Sequence, residues 1–244
     1  MSTLQWSLII LSSFLIGFSK TGVGGFLLPV IPILAAIFGG RSSTGILLPL
    51  LLAGDIFALY YYRKHGNGRD LKMVLPWAFA GLALGVIVGN NIDDRQFKTI
   101  ISFSIILCLI LLVYSQKKRA EVKMPNKAWF CAFVGITAGF TSMIGNAAGP
   151  VFTMYLLSRD VDKNEFMGTT TWFFFIINLT KLPLQVFFWH NISLGTLTFD
   201  MMMLPAIAAG AFVGIKVFKV LNEKLFRIVV IVMTAASALR LLIQ

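Results

Sequence analysis

The residues able to do chemistry in this chain are a few charged and amide side chains set inside apolar stretches. Lys20 lies in Gly17-Phe18-Ser19-Lys20-Thr21-Gly22-Val23-Gly24-Gly25, and Lys181 in Asn178-Leu179-Thr180-Lys181-Leu182-Pro183. Asp55 lies within the apolar run Leu47–Tyr62. A lysine held at membrane depth is costly unless it meets a cavity or a partner. The chemistry that suits such lysines is anion binding, helped by half-helix N-termini and free backbone N–H groups aimed at the same place. The plainer role for Lys20 is to reach a nearby surface along its own stem. Lys181 stands between Trp172 and Trp189, beside a proline that kinks a helix and frees backbone groups. It reads as a pathway cation or as the structural partner of Asp55, and the two roles merge if substrate competes for the lysine. Asp55 reads as a proton-coupling or gating carboxylate, or as half of a structural ion pair. Thr141, Ser142, Asn146, Thr170 and Asn178 add neutral donors, although Ser and Thr in membrane helices more often bond the preceding turn or a neighbouring helix.

Those side chains need elements to hold them. The chain has 244 residues, 57% hydrophobic and only 13% charged, with a mean hydropathy of +0.84. Soluble domains carry about 25% charged residues, so the expected fold is an all-α polytopic membrane protein. About eight hydrophobic segments succeed one another: Leu4–Phe38, Thr44–Tyr62, Met73–Gly89, Phe97–Tyr114, Ala128–Leu157, Gly168–Trp189, Leu197–Phe218 and Leu225–Ile243. The first and fifth are interrupted. Glycine costs about 1 kcal/mol against alanine inside a helix, so the cluster around Lys20 predicts half-helices at Leu4–Phe18 and Phe26–Phe38 joined by an unwound turn. Gly145-Asn146-Ala147-Ala148-Gly149-Pro150 predicts a second break.

The two halves echo one another. Pro76, Gly81, Gly85 and Phe97 recur as Pro205, Gly210, Gly214 and Phe226, each displaced by 129 positions, while Asp55 and Asn178 correspond at 123. Paired interruptions in matching halves point to a transporter site. Basic residues set the topology. Arg63, Lys64, Arg69 and Lys72 mark one connection as cytoplasmic, Lys117 to Lys127 a second, and Lys216, Lys219, Lys224 and Arg227 a third. The connection after Trp189 has no lysine or arginine and suits the outside. These assignments agree only if the first and fifth segments enter and leave on one side, as re-entrant hairpins of half-helices. Both termini then lie outside, and each half keeps an odd number of crossings, so the repeats are inverted. The expected organisation is a first membrane repeat over 1–116, a basic cytoplasmic linker at 117–127 and a second repeat over 128–244. The connection around Arg159 is the least clear, because Asp160, Asp162 and Glu165 outnumber its basic residues.

Other chemistries find little support in the residues. There is no HExxH, no GxSxG and no pair of acids at helical spacing in an apolar segment, so neither a metalloenzyme nor a nucleophilic hydrolase is expected. His65 and His190 stand apart at segment ends, and no metal or cofactor is expected. Cys108 and Cys131 sit in apolar segments as small core residues. The net charge of +11 falls in short connections rather than along a stripe, which argues against nucleic acid. The N-terminus lacks a basic region of the secretory kind, so no cleaved signal peptide is expected.

At Gly22-Val23-Gly24-Gly25-Phe26-Leu27-Leu28-Pro29 and Gly135…Gly139…Gly145…Gly149-Pro150 the chain resembles the sulfite exporter TauE/SafE family, over nearly its whole length. That resemblance implies a bacterial inner-membrane, multi-pass transporter of sulfite or small organosulfur anions, with its site between the two breaks. It places Gly22, Gly24, Gly25, Asn146, Ala147 and Gly149 there. With the side chains above, the expected substrate-binding set is Lys20, Thr21, Gly22, Gly24, Gly25, Ser142, Asn146, Ala147, Gly149, Asn178 and Lys181, with Asp55 for proton coupling or gating. This chain has Asn-Ala-Ala where glycines are typical of the second motif. The expected partners are a small anion and the lipid bilayer, with monomer and homodimer both open. The expected mechanism is alternating access, with protons as a candidate coupling ion; the alternative is a passive anion channel.

Overall fold

The computed structural model describes residues 1–27, 29–93, 95–96, 99, 103, 128–159, 161–226, 228–229 and 232. The expected segments Phe97–Tyr114 and Leu225–Ile243, the 117–127 linker and Cys108 lie wholly or largely outside the described residues.

The described chain is helical, with α1 at Thr3–Thr21, α2 at Val30–Phe38, α3 at Gly40–Tyr62 and α4 at Gly68–Asn90. After the linker come α5 at Ala128–Gly145, α6 at Gly149–Ser158, α7 at Lys163–Leu184, continued by a π turn at Gln185–Trp189, and α8 at Leu194–Val220. Six of the described helices are long and apolar enough to cross a membrane: α1, α3, α4, α5, α7 with its extension, and α8. Local sequence sets their starts. Ser2 and Ser193 close capping boxes, and the Asn67 and Asp162 side chains cap α4 and α7.

Both interruptions are present, and the first differs in detail from expectation. α1 runs on through Lys20 to Thr21, and α2 begins only at Val30. The extra turn of α1 is held from outside the helix. The Thr21 hydroxyl donates to the Ala211 carbonyl at 2.8 Å, and the Tyr62 hydroxyl donates to the Thr21 carbonyl at 2.6 Å. Lys20 is therefore helical, one turn before the unwound stretch. The second break is the three residues Asn146–Ala148, with Asn146 at a φ of 54°. Asparagine tolerates this left-handed conformation better than most side chains, which suits it to a sharp turn between half-helices.

In each broken segment, residues near the start lie close to residues near the end. Trp6 on α1 and Phe38 at the end of α2 both meet Phe199, with ring centroids 5.7 and 5.8 Å away. Cys131 near the start of α5 lies 4.0 Å from the Tyr155 hydroxyl near the end of α6. The loops then gather at two ends. At one, Arg41 bonds Asn90, and Asn191 bonds the Arg41 carbonyl. At the other, Trp172 bonds the Arg63 carbonyl, Asn67 bonds Glu165, and the Lys163 ammonium bonds the Leu221 carbonyl. The Arg159 connection joins this second end. Its guanidinium and the Tyr155 hydroxyl converge on one oxygen of buried Asp70, at 2.6 to 2.9 Å.

Two seams hold the bundle together, α1 along α8 and α4 along α5. Each is a backbone-to-backbone approach through small residues, the usual way for helices to associate where lipid removes the hydrophobic driving force. A Cβ on Gly17 would run into the Ile207 carbonyl, and one on Gly139 into the Ala78 carbonyl. Likewise Gly210 faces the Phe14 carbonyl and Gly81 the Ile136 carbonyl. The two seams therefore match residue for residue: Ala78 and Ile207 stand 129 positions apart, as do Gly81 and Gly210.

Candidate functional site

α3 packs against α7, and side chains from both broken segments reach that contact. The outcome is a chain of buried polar groups running from one break to the other. The Lys20 ammonium meets Asp55 Oδ1 at 2.6 Å, and the Asn178 amide donates to Asp55 Oδ2 at 2.7 Å. Asn178 Oδ1 in turn accepts from the Lys181 ammonium at 3.4 Å. Lys181 also donates to Ser142 Oγ at 3.3 Å and to Asn146 Oδ1. Asp55 and Lys181 are wholly buried.

Local sequence makes each position. Gly54 lets the Lys20 stem cross α3, since a Cβ there would sit 3.0 Å from Lys20 Cγ. Asn178 and Lys181 are three residues apart and so share one face of α7. The left-handed turn at Asn146 brings its side chain under the lysine. Asp55 and Asn178, 123 positions apart, touch one another.

Lys20 is thus paired with Asp55 directly. Lys181, for which pairing with Asp55 was one of two readings, is one residue removed from it and rests on three neutral acceptors. An ammonium has three N–H donors, and Lys181 places all three. The cluster holds two lysines against one carboxylate.

Beside this chain lies a cavity of about 60 Å³ whose wall includes Lys20, Asp55, Gly24, Gly25, Asn146 and Gly149. Three polar atoms on its wall are buried with no hydrogen-bond partner among the described residues: Asn146 Nδ2, Thr170 Oγ and Thr171 Oγ. A buried donor left unmade costs about 1–3 kcal/mol, and these three groups on this wall are able to donate to a bound group. Gly149 and Pro150 also bring the N-terminus of α6 to the cavity, adding positive potential. Phe174 closes one side, its ring centroid 4.7 Å from the Lys20 ammonium. The cavity reaches Phe166 and Met167 on the first turns of α7, so it extends toward the end of the bundle that carries the Arg63 and Arg159 connections.

The remaining expected site residues fall elsewhere. Thr21 and Gly22 lie in the α1–α8 seam, Gly22 against Gly214. Ser142, Asn178 and Lys181 stand behind Asn146 as its support. Ala147 is buried, its N–H bonded to the Thr141 carbonyl. The Thr141 hydroxyl bonds the preceding turn of its own helix. Thr171 and Asp200 are among the buried polar groups missed by reasoning from sequence. Thr171 looks like ordinary helix filler, and Asp200 like a segment end, because only four apolar or hydroxylated residues separate it from Gly195. The signal in both cases is helical phase: each falls on the packed side of its helix.

Asn146 separates backbone from side-chain roles. Asn146→Gly keeps the left-handed turn and is expected to fold while losing the amide that links Lys181 to the cavity. Asn146→Val is expected to cost about 1–3 kcal/mol in backbone strain. Thermal unfolding of the two variants in detergent checks this: equal stability would mean the turn is not the constraint.

Residues 9–241 match the family model described as Sulfite exporter TauE/SafE. A "Probable membrane transporter protein" of Haemophilus influenzae is 27% identical over 104 residues. The match covers 40% of this chain, and the chain spans 40% of that relative's length. No solved structure matches the chain.

Proposed function

Because the chain belongs to the sulfite exporter TauE/SafE family of membrane transporters, we propose that it is a secondary transporter of small anions, sulfite or short sulfonates, working by alternating access of two inverted halves. The observation that carries the anion reading is the charge count at the centre: two lysines, one carboxylate, and three unmet donors around one cavity. One bound monoanion completes that set. Lys20 supplies the facing charge, Asn146, Thr170 and Thr171 supply donors, and Lys181 holds Asn146 in place from behind.

Asp55 is the gate in this reading. Its oxygens are occupied by Lys20 and Asn178, so an arriving anion competes with Asp55 for the Lys20 ammonium and loosens the contact between α1 and α3. The inverted-repeat reading draws support from the matched seams, from the two folded-back hairpins and from the Asp55–Asn178 contact. If the basic connections face the cytoplasm, the cavity opens inward, and the contacts among Arg41, Asn90, Trp189 and Asn191 seal the outside. The bacterial inner membrane is the proposed location.

Flux of labelled sulfite and of a short sulfonate into proteoliposomes tests the proposal. Accumulation against a gradient is expected, and Lys181→Met is expected to weaken anion affinity by about tenfold to a hundredfold, the worth of the charge-assisted hydrogen bond by which it holds Asn146. Flux that only dissipates gradients would make the protein a channel. No flux of either anion in folded protein would overturn the substrate class.

A further inference from the structure

Asp200 sits on the second turn of α8, buried to 4% exposure, with neither carboxylate oxygen engaged by a hydrogen bond or ion pair among the described residues. Its neighbour Phe199 is wedged between Trp6 and Phe38, so this turn of α8 is packed against the ends of the first hairpin. Among the described residues, the helices packed most closely on α8 are α1 and α3. Their charged and titratable groups are committed elsewhere. Lys20 and Asp55 pair with one another, and Arg41 bonds Asn90 and covers the Trp189 ring. Tyr62 donates to the Thr21 carbonyl, and Tyr60 and Tyr61 are exposed. On α8 itself, Lys216 and Lys219 lie toward the far end, against Phe212 and Tyr61. His190, before α8, is exposed.

We propose that Asp200 is a proton-binding site, and that the proton it carries is the coupling ion of the transport cycle. The second clause rests on the transporter reading above; the first does not. An ionised carboxylate buried without a partner costs several kcal/mol, whereas the neutral acid leaves only an unmet hydroxyl. In this packing Asp200 therefore holds a proton, taken from water on one face. Releasing it requires water to reach the carboxylate, and so requires α8 to move against α1. The seam between those helices permits such a shift, because Gly17 and Gly210 meet backbone rather than interlocked side chains. The same seam reaches the anion site. Thr21, next to Lys20, is bonded to the Ala211 carbonyl on α8, so a movement that exposes Asp200 also pulls on the turn that presents Lys20. Asp55 differs from Asp200 in having both oxygens engaged in this structure.

Infrared spectroscopy of the protein in lipid at neutral pH reads the proton directly. The expected result is a protonated-carboxyl C=O band in wild type that persists in Asp55→Asn and is lost in Asp200→Asn and in Asp200→Ser. An amide is nearly isosteric with the neutral acid, and the serine variant gives a second reading should the amide perturb packing. A band unchanged in both Asp200 variants would overturn the site. In proteoliposomes, Asp200→Asn is expected to retain anion counterflow while losing about tenfold of the stimulation by an imposed pH gradient, an ordinary size for coupling between two sites. Stimulation equal to wild type would overturn the coupling role. Loss of counterflow in wild type as well would fault the transporter reading and leave the infrared result standing.

Discussion

Lys20→Met is expected to abolish anion flux and to destabilise the protein by about 3–5 kcal/mol, the usual cost of removing one partner from a buried ion pair. The reason is the position of Asp55, which is wholly buried and held by Lys20 at 2.6 Å and Asn178 at 2.7 Å. Without Lys20, Asp55 keeps a single amide donor, and its charge has no counter-ion among the described residues closer than Lys181 behind Asn178. The double variant Lys20→Met/Asp55→Asn separates the two losses. It removes both charges together, so stability is expected to return to near the wild-type value while flux stays absent. Denaturant unfolding in detergent and counterflow in proteoliposomes measure the two quantities on the same samples. A Lys20→Met protein as stable as wild type would show that Asp55 is satisfied without it. Flux restored in the double variant would remove Lys20 from the binding site.

The second large effect belongs to the seams. Gly17→Val and Gly139→Val are each expected to prevent folding, a loss of more than about 4 kcal/mol, because the new side chain meets a carbonyl on the neighbouring helix and only a backbone shift can relieve the clash. The matched geometry predicts effects of similar size, with α1 forced away from α8 in one case and α5 away from α4 in the other. Gly24→Ala and Gly149→Ala make the comparison sharp. Nothing lies within 4 Å of a Cβ at either position, so both proteins are expected to fold, and any change in them reports on the cavity they line. Detergent-solubilised yield and size-exclusion profiles decide the matter; a monodisperse Gly17→Val protein would mean the seam can open without cost.

The sequence by itself determined the features that local composition and periodicity control. Long apolar runs with few charges require membrane-spanning helices, because backbone polar groups have no other partners in lipid. Clustered glycine, or a pair of glycines closed by proline, disfavours continuing such a helix, so both breaks were legible from Gly22–Pro29 and Gly145–Pro150. The 129-position offset was legible too, because the glycines that line a close-packed seam recur at matching places in both halves. Lys20, Asp55, Asn146, Asn178 and Lys181 stood out because charged and amide groups are expensive in an apolar run.

Which of those groups meet was decided only by the tertiary structure. Sequence spacing offered Lys181 as one candidate partner for Asp55 and gave Lys20 none. The extra turn of α1, held by Thr21 and Tyr62 through contacts with other helices, carries Lys20 onto Asp55 instead. Asp200 was illegible for the same reason: a single acid near a helix start is ordinary until the neighbouring helices close over it. Composition and period constrain each helix alone, but ion pairing depends on the angle and register between helices. Those are set by side chains far apart in the chain, as Thr21 and Ala211 are.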